Sequence, residues 1–462
     1  MRVRLRLPAL APVPWARPRH ELLLLALVAV GTLAVIYPPG AQDSSRMCLT
    51  RSVVHGTLSA DTCLAGNVDR SEFAGHLYPN KAPGVSFVAV PAAEIVRLRA
   101  PADWHRADLR LWAVRVATGG LALLACALLL GRVAEGLAPG FGGVTLVTFS
   151  AGTLVASLSV GNFAEVPTAA LGLVAFLLAW RRQAAAAGLA AGLAVLFEYQ
   201  AGLIAGAVGV YVLLSGVRAL GRYVAGLAPG LALLGAYNWA AFGSPLHLSY
   251  RYVSAQFATD VSSGFFGIQT PSLHAIRLTL VGNRGLLVDS PVLILAAIGL
   301  ALLWRRGLRA ESAVCAFIAI VFLFLEFGYF APYGGDSPGP RYFVPALPFA
   351  AVGLAPAFAR WRVPAAALAF LSVLASTAVL LTFPAAVNAA HPYEWSVWRE
   401  LGSFVTHGSS SELAGWVQET VFSRVGTPRL GGAAIMLAAA LAALAVSLRT
   451  GGSSESPTPR SD

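Results

Sequence analysis

The chain has 462 residues, of which 57% are hydrophobic and only 12% are charged, and its mean hydropathy is +0.68. Soluble domains carry about 25% charged residues, so this composition excludes an ordinary soluble protein and predicts an all-α, polytopic membrane protein. The formal net charge of +11 does not indicate nucleic-acid binding, because the arginines cluster at the ends of apolar segments.

About 12 transmembrane helices are predicted from runs of apolar residues, several of them near or below the lower length limit of a span. They lie near 21–37, 111–131, 140–159, 165–180, 184–198, 200–215, 222–241, 287–304, 312–331, 343–359, 363–384 and 431–448. With this number, every short Arg-bearing turn lies on the cytoplasmic side, as the positive-inside rule requires. A further span at 84–97 would reverse the later turns, so we expect a short interfacial helix there.

The predicted order divides the chain into three parts. Residues 1–20 form an Arg-rich cytoplasmic N-terminus before an uncleaved first span, 21–449 form the membrane domain, and 450–462 form a disordered cytoplasmic tail. Three large external segments are expected at 38–110, 242–286 and 385–430. We therefore expect the active site on the external side.

Two of the four cysteines, Cys48 and Cys63, share the first external segment. An oxidising exterior favours a disulfide between them, and two free thiols are the alternative.

Carboxylates in the first external segment are candidates for acid–base chemistry. Asp43 and Arg46 are three residues apart, so a helix would place them on one face next to the membrane. Asp43 is a candidate to accept a proton from an acceptor hydroxyl, with Arg46 holding it or binding phosphate. A helix cap and a solvated charge are the simpler interpretation. Asp61 and Asp69 are the other candidate bases in this segment.

Lys81 is the only lysine of the chain, and the other residues in its total of 33 lysines and arginines are all arginine. A lysine binds phosphate as a flexible point charge and not as a planar fork. Lys81 is therefore a candidate phosphate ligand at the membrane surface, and its alternative role is to anchor the chain at the interface.

Later polar positions add to the candidate site. Arg341 follows a short loop rich in glycine and proline, where it could pair with a phosphate or anchor a helix end. Glu165 precedes a predicted span and could orient Arg46 or a substrate hydroxyl, or cap the helix. Glu198 lies at the end of a span, where an acid is costly and often functional. The eight histidines show no zinc-binding spacing, so no cofactor or metal site is predicted, although a divalent metal is left open.

Three short motifs stand out, Asp43-x-x-Arg46, Tyr78-x-x-Lys81-x-Pro83 and Arg341-Tyr342-x-x-Pro345. They resemble motifs of the GT-C superfamily of membrane glycosyltransferases, in particular family 39, the protein O-mannosyltransferases and the lipid A aminoarabinose transferases. A wider pattern, including Gly285-Leu286-Leu287-Val288-Asp289-Ser290-Pro291, also resembles a group of poorly characterised bacterial membrane proteins. The resemblance implies a GT-C-like fold, Asp43 as catalytic base, and Tyr78, Lys81, Arg341 and Tyr342 near the donor phosphate.

The implied activity is an inverting sugar transfer from a polyprenyl-phosphate donor to a lipid, glycan or protein acceptor at the outer face of a bacterial inner membrane. Membrane lipids are the other expected partners. Ser44 stands where many GT-C relatives carry an acid, so the base stays open between Asp43, Asp61 and Asp69. A transporter of lipid-linked sugars and a catalytically inactive GT-C-like scaffold are the alternatives. Charges gathered at the outer surface favour the enzyme over the transporter.

Overall fold

The computed structural model describes residues 18–98, 108–387 and 417–450, with a few isolated residues between 396 and 415. Most of the predicted N-terminus 1–20 and of the predicted tail 450–462, and most of the third external segment, lie outside this described part. Its α-helices are α1 Pro18–Leu33, α2 Ala41–Val54, α3 Asp61–Leu64, α4 Gly84–Val96, α5 Leu109–Arg115, α6 Leu121–Leu137, α7 Gly142–Ala151, α8 Val155–Ser159, α9 Glu165–Trp180, α10 Ala184–Phe197, α11 Ala201–Leu213, α12 Val217–Phe242, α13 Ala255–Ser262, α14 Leu273–Val281, α15 Leu286–Asp289, α16 Leu293–Arg305, α17 Arg309–Gly328, α18 Leu347–Ala351, α19 Leu354–Arg360, α20 Arg362–Val387 and α21 Arg429–Thr450.

Short turns of other helix types connect several of these elements. A π-helix, Val116–Gly120, joins α5 to α6 without a break, and 3-10 helices lie at Ser249–Tyr252, Pro332–Gly334, Arg341–Ala346 and Val421–Val425. The strands are β1 Val35–Ile36, β2 Arg70–Phe73, β3 His76–Pro79 and β4 Glu419–Thr420. They form two antiparallel pairs, β1 with β4 and β2 with β3.

Five helices of the described residues are long and apolar enough to cross a membrane. They are Leu109–Leu137, Val217–Phe242, Arg309–Gly328, Arg362–Phe383 and Arg429–Arg449. Two bent helix pairs would raise the number to seven if each pair formed one span. The chain is therefore an integral membrane protein, but its described residues do not contain twelve helices of spanning length. The reason is length, because the predicted spans at 165–180, 184–198 and 200–215 correspond to helices of 16, 14 and 13 residues.

The bundle is held together by close packing of small residues. Gly192 on α10 and Gly230 on α12 face each other, and a Cβ atom on either would overlap the backbone of the other helix. Apolar association between helices in lipid depends on this kind of close approach, since burial from water gives little driving force there. The alanine- and glycine-rich sequence of α10 thus favours a tightly packed helix over a lipid-facing one.

Residues 34–98, after α1, are compact and partly tied by covalent bonding. Cys48 on α2 and Cys63 on α3 are joined by a disulfide with their Cα atoms 5.7 Å apart. β2 and β3 form a hairpin whose turn residues, Ala74 and Gly75, both have positive φ. Such φ values characterise the two-residue turn that matches strand twist. The helix expected near 84–97 is present as α4, whereas its placement at a membrane interface stays a prediction.

Candidate functional site

One cavity collects four of the eight charged residues that the sequence singles out. It has a volume of about 600 Å³ and lies where the turn between β1 and α2, the start of α2, the residues that flank the β2–β3 hairpin, α13 and the loop before Arg341 meet. The charged residues in its lining are Asp43, Asp69, Lys81, Arg115, Asp336 and Arg341.

Asp43 lies in the first turn of α2 and forms a buried ion pair with Arg115 of α5. Nη2 of Arg115 contacts Oδ2 of Asp43, and Nε lies 3.4 Å from Oδ1. The same guanidinium donates to the backbone carbonyls of Tyr37, at 2.7 Å, and Pro38, at 3.3 Å. Arg115 therefore fixes both the carboxylate and the backbone that leads into α2.

Arg115 was not among the predicted site residues, although the sequence contained a signal for it. It lies inside the predicted span 111–131, where an ionisable side chain is costly and usually functional. The structure adds a second signal, because the π-helix Val116–Gly120 begins at the next residue. π-helical turns are frequent at functional sites.

Lys81 and Asp69 form a second charge pair in the cavity wall, with Nζ of Lys81 3.6 Å from Oδ1 of Asp69. The hairpin register explains this contact, because Arg70 pairs with Pro79 and places the residues just outside the strands opposite each other. Asn80 also donates to Oδ1 of Asp69, at 3.3 Å. Nζ of Lys81 lies 5.4 Å from the ring centre of Tyr250, a residue the sequence did not single out.

Burial and charge act in opposite directions on this pair. Burial raises the pKa of Asp69, but the positive charges of Lys81 and Arg341 and the hydrogen bond from Asn80 bring it below its ordinary value. Burial lowers the pKa of Lys81, and the nearby Asp69 carboxylate only partly opposes that shift. Asp69 is thus held as the anion, whereas Lys81 is a cation that loses its proton more readily than an exposed lysine.

Arg341 reaches the cavity from the first residue of the 3-10 helix Arg341–Ala346. Its Nη1 donates to Oε1 of Gln42, Nη2 lies 3.2 Å from the Tyr342 hydroxyl, and Nε lies 3.7 Å from Oε1 of Glu165. Glu165 begins α9, is almost fully buried and contacts Arg341, whereas Arg46, one of the partners considered for Glu165, pairs with Glu198.

Arg46 does not line the cavity. Its side chain is fully buried and forms an ion pair with Glu198, with Nη2 2.7 Å from Oε1. Nη1 also donates to the carbonyl of Asn162, at 2.9 Å. Of the two roles considered for Arg46, a contact with Asp43 is not observed, because α2 directs Arg46 towards the end of α10 while Asp43 meets α5. The position of Arg46 suits support of the cavity wall.

The other predicted residues lie around the cavity and not in its lining. Asp61 is exposed, at the start of α3, and accepts hydrogen bonds from the backbone amide of Leu77, at 2.6 Å, and from His76, at 3.0 Å. Those two bonds lower the pKa of Asp61. The structure thus gives Asp61 a local structural role outside the cavity, in contrast to the catalytic role predicted for it.

The two predicted tyrosines also lie behind the lining. The ring of Tyr78 packs 5.2 Å from that of Phe242. Tyr342 packs 4.6 Å from Tyr329, which itself lines the cavity. Within the described ranges, no group of three or more His, Cys, Asp or Glu side chains is arranged to hold a metal ion.

The helix arrangement resembles that of solved membrane glycosyltransferases. ArnT from Cupriavidus metallidurans, bound to undecaprenyl phosphate, matches over 95% of this chain and 77% of its own, with a TM-score of 0.50 and 14% identity. The chain has a GT-C-like fold. The apo oligosaccharyltransferase of Archaeoglobus fulgidus is similar over 87% of this chain and 60% of its own, with a TM-score of 0.47 and 12% identity. No protein-family model and no curated protein matches the sequence.

The match to ArnT confirms the expected fold class in its coarse form, an all-α membrane protein with a GT-C-like arrangement. Identity this low concerns the fold alone, so activity has to be argued from the cavity.

Proposed function

We propose that this protein is a membrane glycosyltransferase that moves a sugar from a polyprenyl-phosphate carrier to an acceptor hydroxyl. The observation that carries the proposal is the joint presence, in one 600 Å³ cavity, of the Asp43 carboxylate and of two cations, Lys81 and Arg341. A sugar transfer with a phosphate leaving group needs these two kinds of group together. The ArnT structure, of similar fold, contains undecaprenyl phosphate, which supports a carrier of the same chemistry here.

Lys81 and Arg341 are suited to a phosphate because they differ in geometry. Arg341 presents a planar fork and Lys81 a point charge, and both are nearly buried. Without a ligand, each is balanced by a carboxylate, Asp69 for Lys81 and Glu165 for Arg341. These carboxylates lower the cost of keeping buried cations ready before the donor arrives.

The transfer itself would proceed by inversion. Asp43 accepts the proton of the acceptor hydroxyl while the oxygen of that hydroxyl forms a bond to the anomeric carbon of the sugar. The bond between that carbon and the phosphate oxygen breaks, and its electron pair leaves with polyprenyl phosphate. Lys81 and Arg341 stabilise the negative charge that grows on the phosphate, which is the usual electrostatic contribution of preorganised cations. Asp43 later releases the proton to water.

Arg115 would act as the residue that orients the base. Its guanidinium holds the Asp43 carboxylate in place, and a carboxylate has enough lone pairs to accept a hydrogen bond from the acceptor hydroxyl at the same time. In this proposal the site faces the outside of a bacterial inner membrane, and the donor enters sideways from the lipid. The acceptor is a hydroxyl of a lipid, a glycan or a protein.

The direct test is sugar transfer from radiolabelled undecaprenyl-phosphate sugars in membranes that contain wild-type protein, Asp43→Asn or Asp61→Asn. Loss of a general base lowers rates by about 10²–10⁴-fold, and we expect that loss for Asp43→Asn. Asp61→Asn makes the same change in the same segment outside the cavity, and it should retain most of the transfer. Addition of EDTA to the wild-type reaction tests whether a divalent metal takes part.

Each alternative gives a distinct result. If the Asp61 variant lost transfer and the Asp43 variant kept it, the assignment of the base would be wrong. If no donor supported transfer while the folded protein bound undecaprenyl phosphate, the inactive scaffold would replace the enzyme. Movement of the labelled lipid from one leaflet of the vesicle membrane to the other, without transfer of the sugar, would identify a transporter.

A further inference from the structure

A turn of unusual backbone conformation borders the cavity just before Arg341. Tyr333, Gly334 and Gly335 have φ values of +60°, +78° and +90°, so three consecutive residues lie in the left-handed region. Glycine adopts this region freely, whereas a tyrosine there is uncommon and has to be held by its surroundings. Tyr333 is 1% exposed, which shows that the surroundings enclose it.

Arg284 is the residue that holds this turn from behind. Its guanidinium lies 4.8 Å from the ring centre of Tyr333, a stacking distance, and its Nη1 donates to the carbonyl of Ser337 at 2.8 Å. Arg284 is only 2% exposed and is not part of the cavity lining. Gly282 leaves room for the Tyr333 hydroxyl, because a Cβ atom there would lie 2.6 Å from it.

The loop that follows the turn also rests on this region. A Cβ atom at Gly339 would lie 3.1 Å from the carbonyl oxygen of Arg284 and 3.1 Å from Oδ2 of Asp289. Asp289 is 1% exposed and belongs to the Gly285–Pro291 motif, whose residues have no role in the proposed reaction. Loop residues 333–340 are thus fixed at two points by the segment around Arg284.

The front of the same turn contacts Arg341. A Cβ atom at Gly334 would lie 2.7 Å from both Cγ and Nε of Arg341, so the backbone of the turn touches the stem and the base of the guanidinium. A continuous series of contacts therefore runs from Arg284 through Tyr333 and Gly334 to Arg341, which lines the cavity.

We propose that Arg284 is a positioning residue, which acts through Tyr333 and the 333–340 loop to hold the Arg341 guanidinium towards the cavity. This role rests on the proposed function, in which Arg341 is a ligand of the donor phosphate. Arg284 keeps Arg341 at the depth and angle that a phosphate requires, without touching the phosphate itself. A lysine cannot replace it, because an ammonium group neither stacks flat on Tyr333 nor keeps the same bond to Ser337.

The first test measures binding of undecaprenyl phosphate to the full-length protein in nanodiscs. Arg284→Lys should weaken binding by about tenfold, and the effect should disappear when Arg341 is already alanine, because coupled residues are not additive. Arg277→Lys is the matched control, since Arg277 is an exposed arginine on the neighbouring helix α14. Equal weakening by Arg284→Lys with and without Arg341 would overturn the inference.

The second test does not depend on the reaction. Phenylglyoxal modifies arginines, and mass spectrometry reports its rate at Arg341 in each variant. Arg284→Lys and Gly334→Ala should change that rate several-fold, since both disturb the support of Arg341. Gly335→Ala has the same left-handed backbone as Gly334→Ala, but its methyl group would meet no atom within 4 Å, so its effect should be smaller.

The outcomes separate the two proposals. An unchanged rate at Arg341 in both the Arg284 and Gly334 variants would overturn the positioning role. A changed rate together with normal binding by Arg341→Ala would support the positioning of Arg341 and would reject its role as a phosphate ligand.

Discussion

Replacement of Arg115 by methionine should destabilise the protein through the charge that it leaves behind. Arg115 and Asp43 have side chains only 1% and 4% exposed, and they contact each other through two pairs of atoms. Removal of one member of a buried ion pair costs about 3–5 kcal/mol, because the other charge stays buried without a partner. The carbonyls of Tyr37 and Pro38 lose their donor as well.

We expect the lower end of that range for Arg115→Met, about 3 kcal/mol, because water in the adjacent cavity can solvate Asp43 in part. The double variant Asp43→Asn, Arg115→Met removes the unpaired charge and should recover a large part of the loss. Thermal unfolding of the purified protein in detergent, followed by a fluorescent thiol probe, measures both effects. Asp43→Asn alone completes the cycle.

Unfolding of Arg115→Met at the wild-type temperature would contradict this prediction. A double variant no more stable than Arg115→Met would contradict it as well. Either result would mean that Asp43 does not depend on Arg115 for its charge compensation, and the orienting role of Arg115 would be lost with it.

Two further predictions concern the same end of the molecule. Burial lowers the pKa of Lys81, so binding of undecaprenyl phosphate should weaken as the pH rises through that lowered pKa. Lys81→Arg should keep its affinity to higher pH, because arginine stays charged. Identical pH profiles of the two proteins in a binding assay would contradict this. Cys48→Ser should lower the unfolding temperature, because the disulfide joins residues with a sequence separation of 15 and such a loop is worth about 3 kcal/mol in the chain-entropy model. The double variant Cys48→Ser, Cys63→Ser should lower the unfolding temperature no further.

The fold class and part of the site could be predicted from composition and from single residues. Low charge and apolar runs indicated a helical membrane protein, and the uniqueness of Lys81 drew attention to a residue that does line the cavity. The number of spans could not be predicted, since hydropathy does not distinguish a long helix from short, bent or buried ones. Helices such as α10 are apolar because they are enclosed by other helices.

Pairing of charges was the part that sequence reasoning could not supply. Asp43 and Arg46 are neighbours in the sequence, yet their partners, Arg115 and Glu198, lie 72 and 152 residues further along the chain. Local spacing predicts contacts within one helix, whereas these pairs depend on how α2 meets α5 and α10. Asp61 was overvalued for the same reason, because nothing in the sequence shows which acids of a loop face a cavity.

The pairing of β1 with β4 has a consequence for how the protein is made. Val35 and Ile36 form β1, directly before the turn that leads to Asp43. Their strand partners are Thr420 and Glu419, which lie far along the chain. The amide of Val421 also donates to the carbonyl of Ala34, at 2.8 Å. The backbone that leads into the candidate site therefore receives this neighbour only after residues 419–421 have been synthesised. Chains that stop before residue 419 should lack this support for the turn before α2.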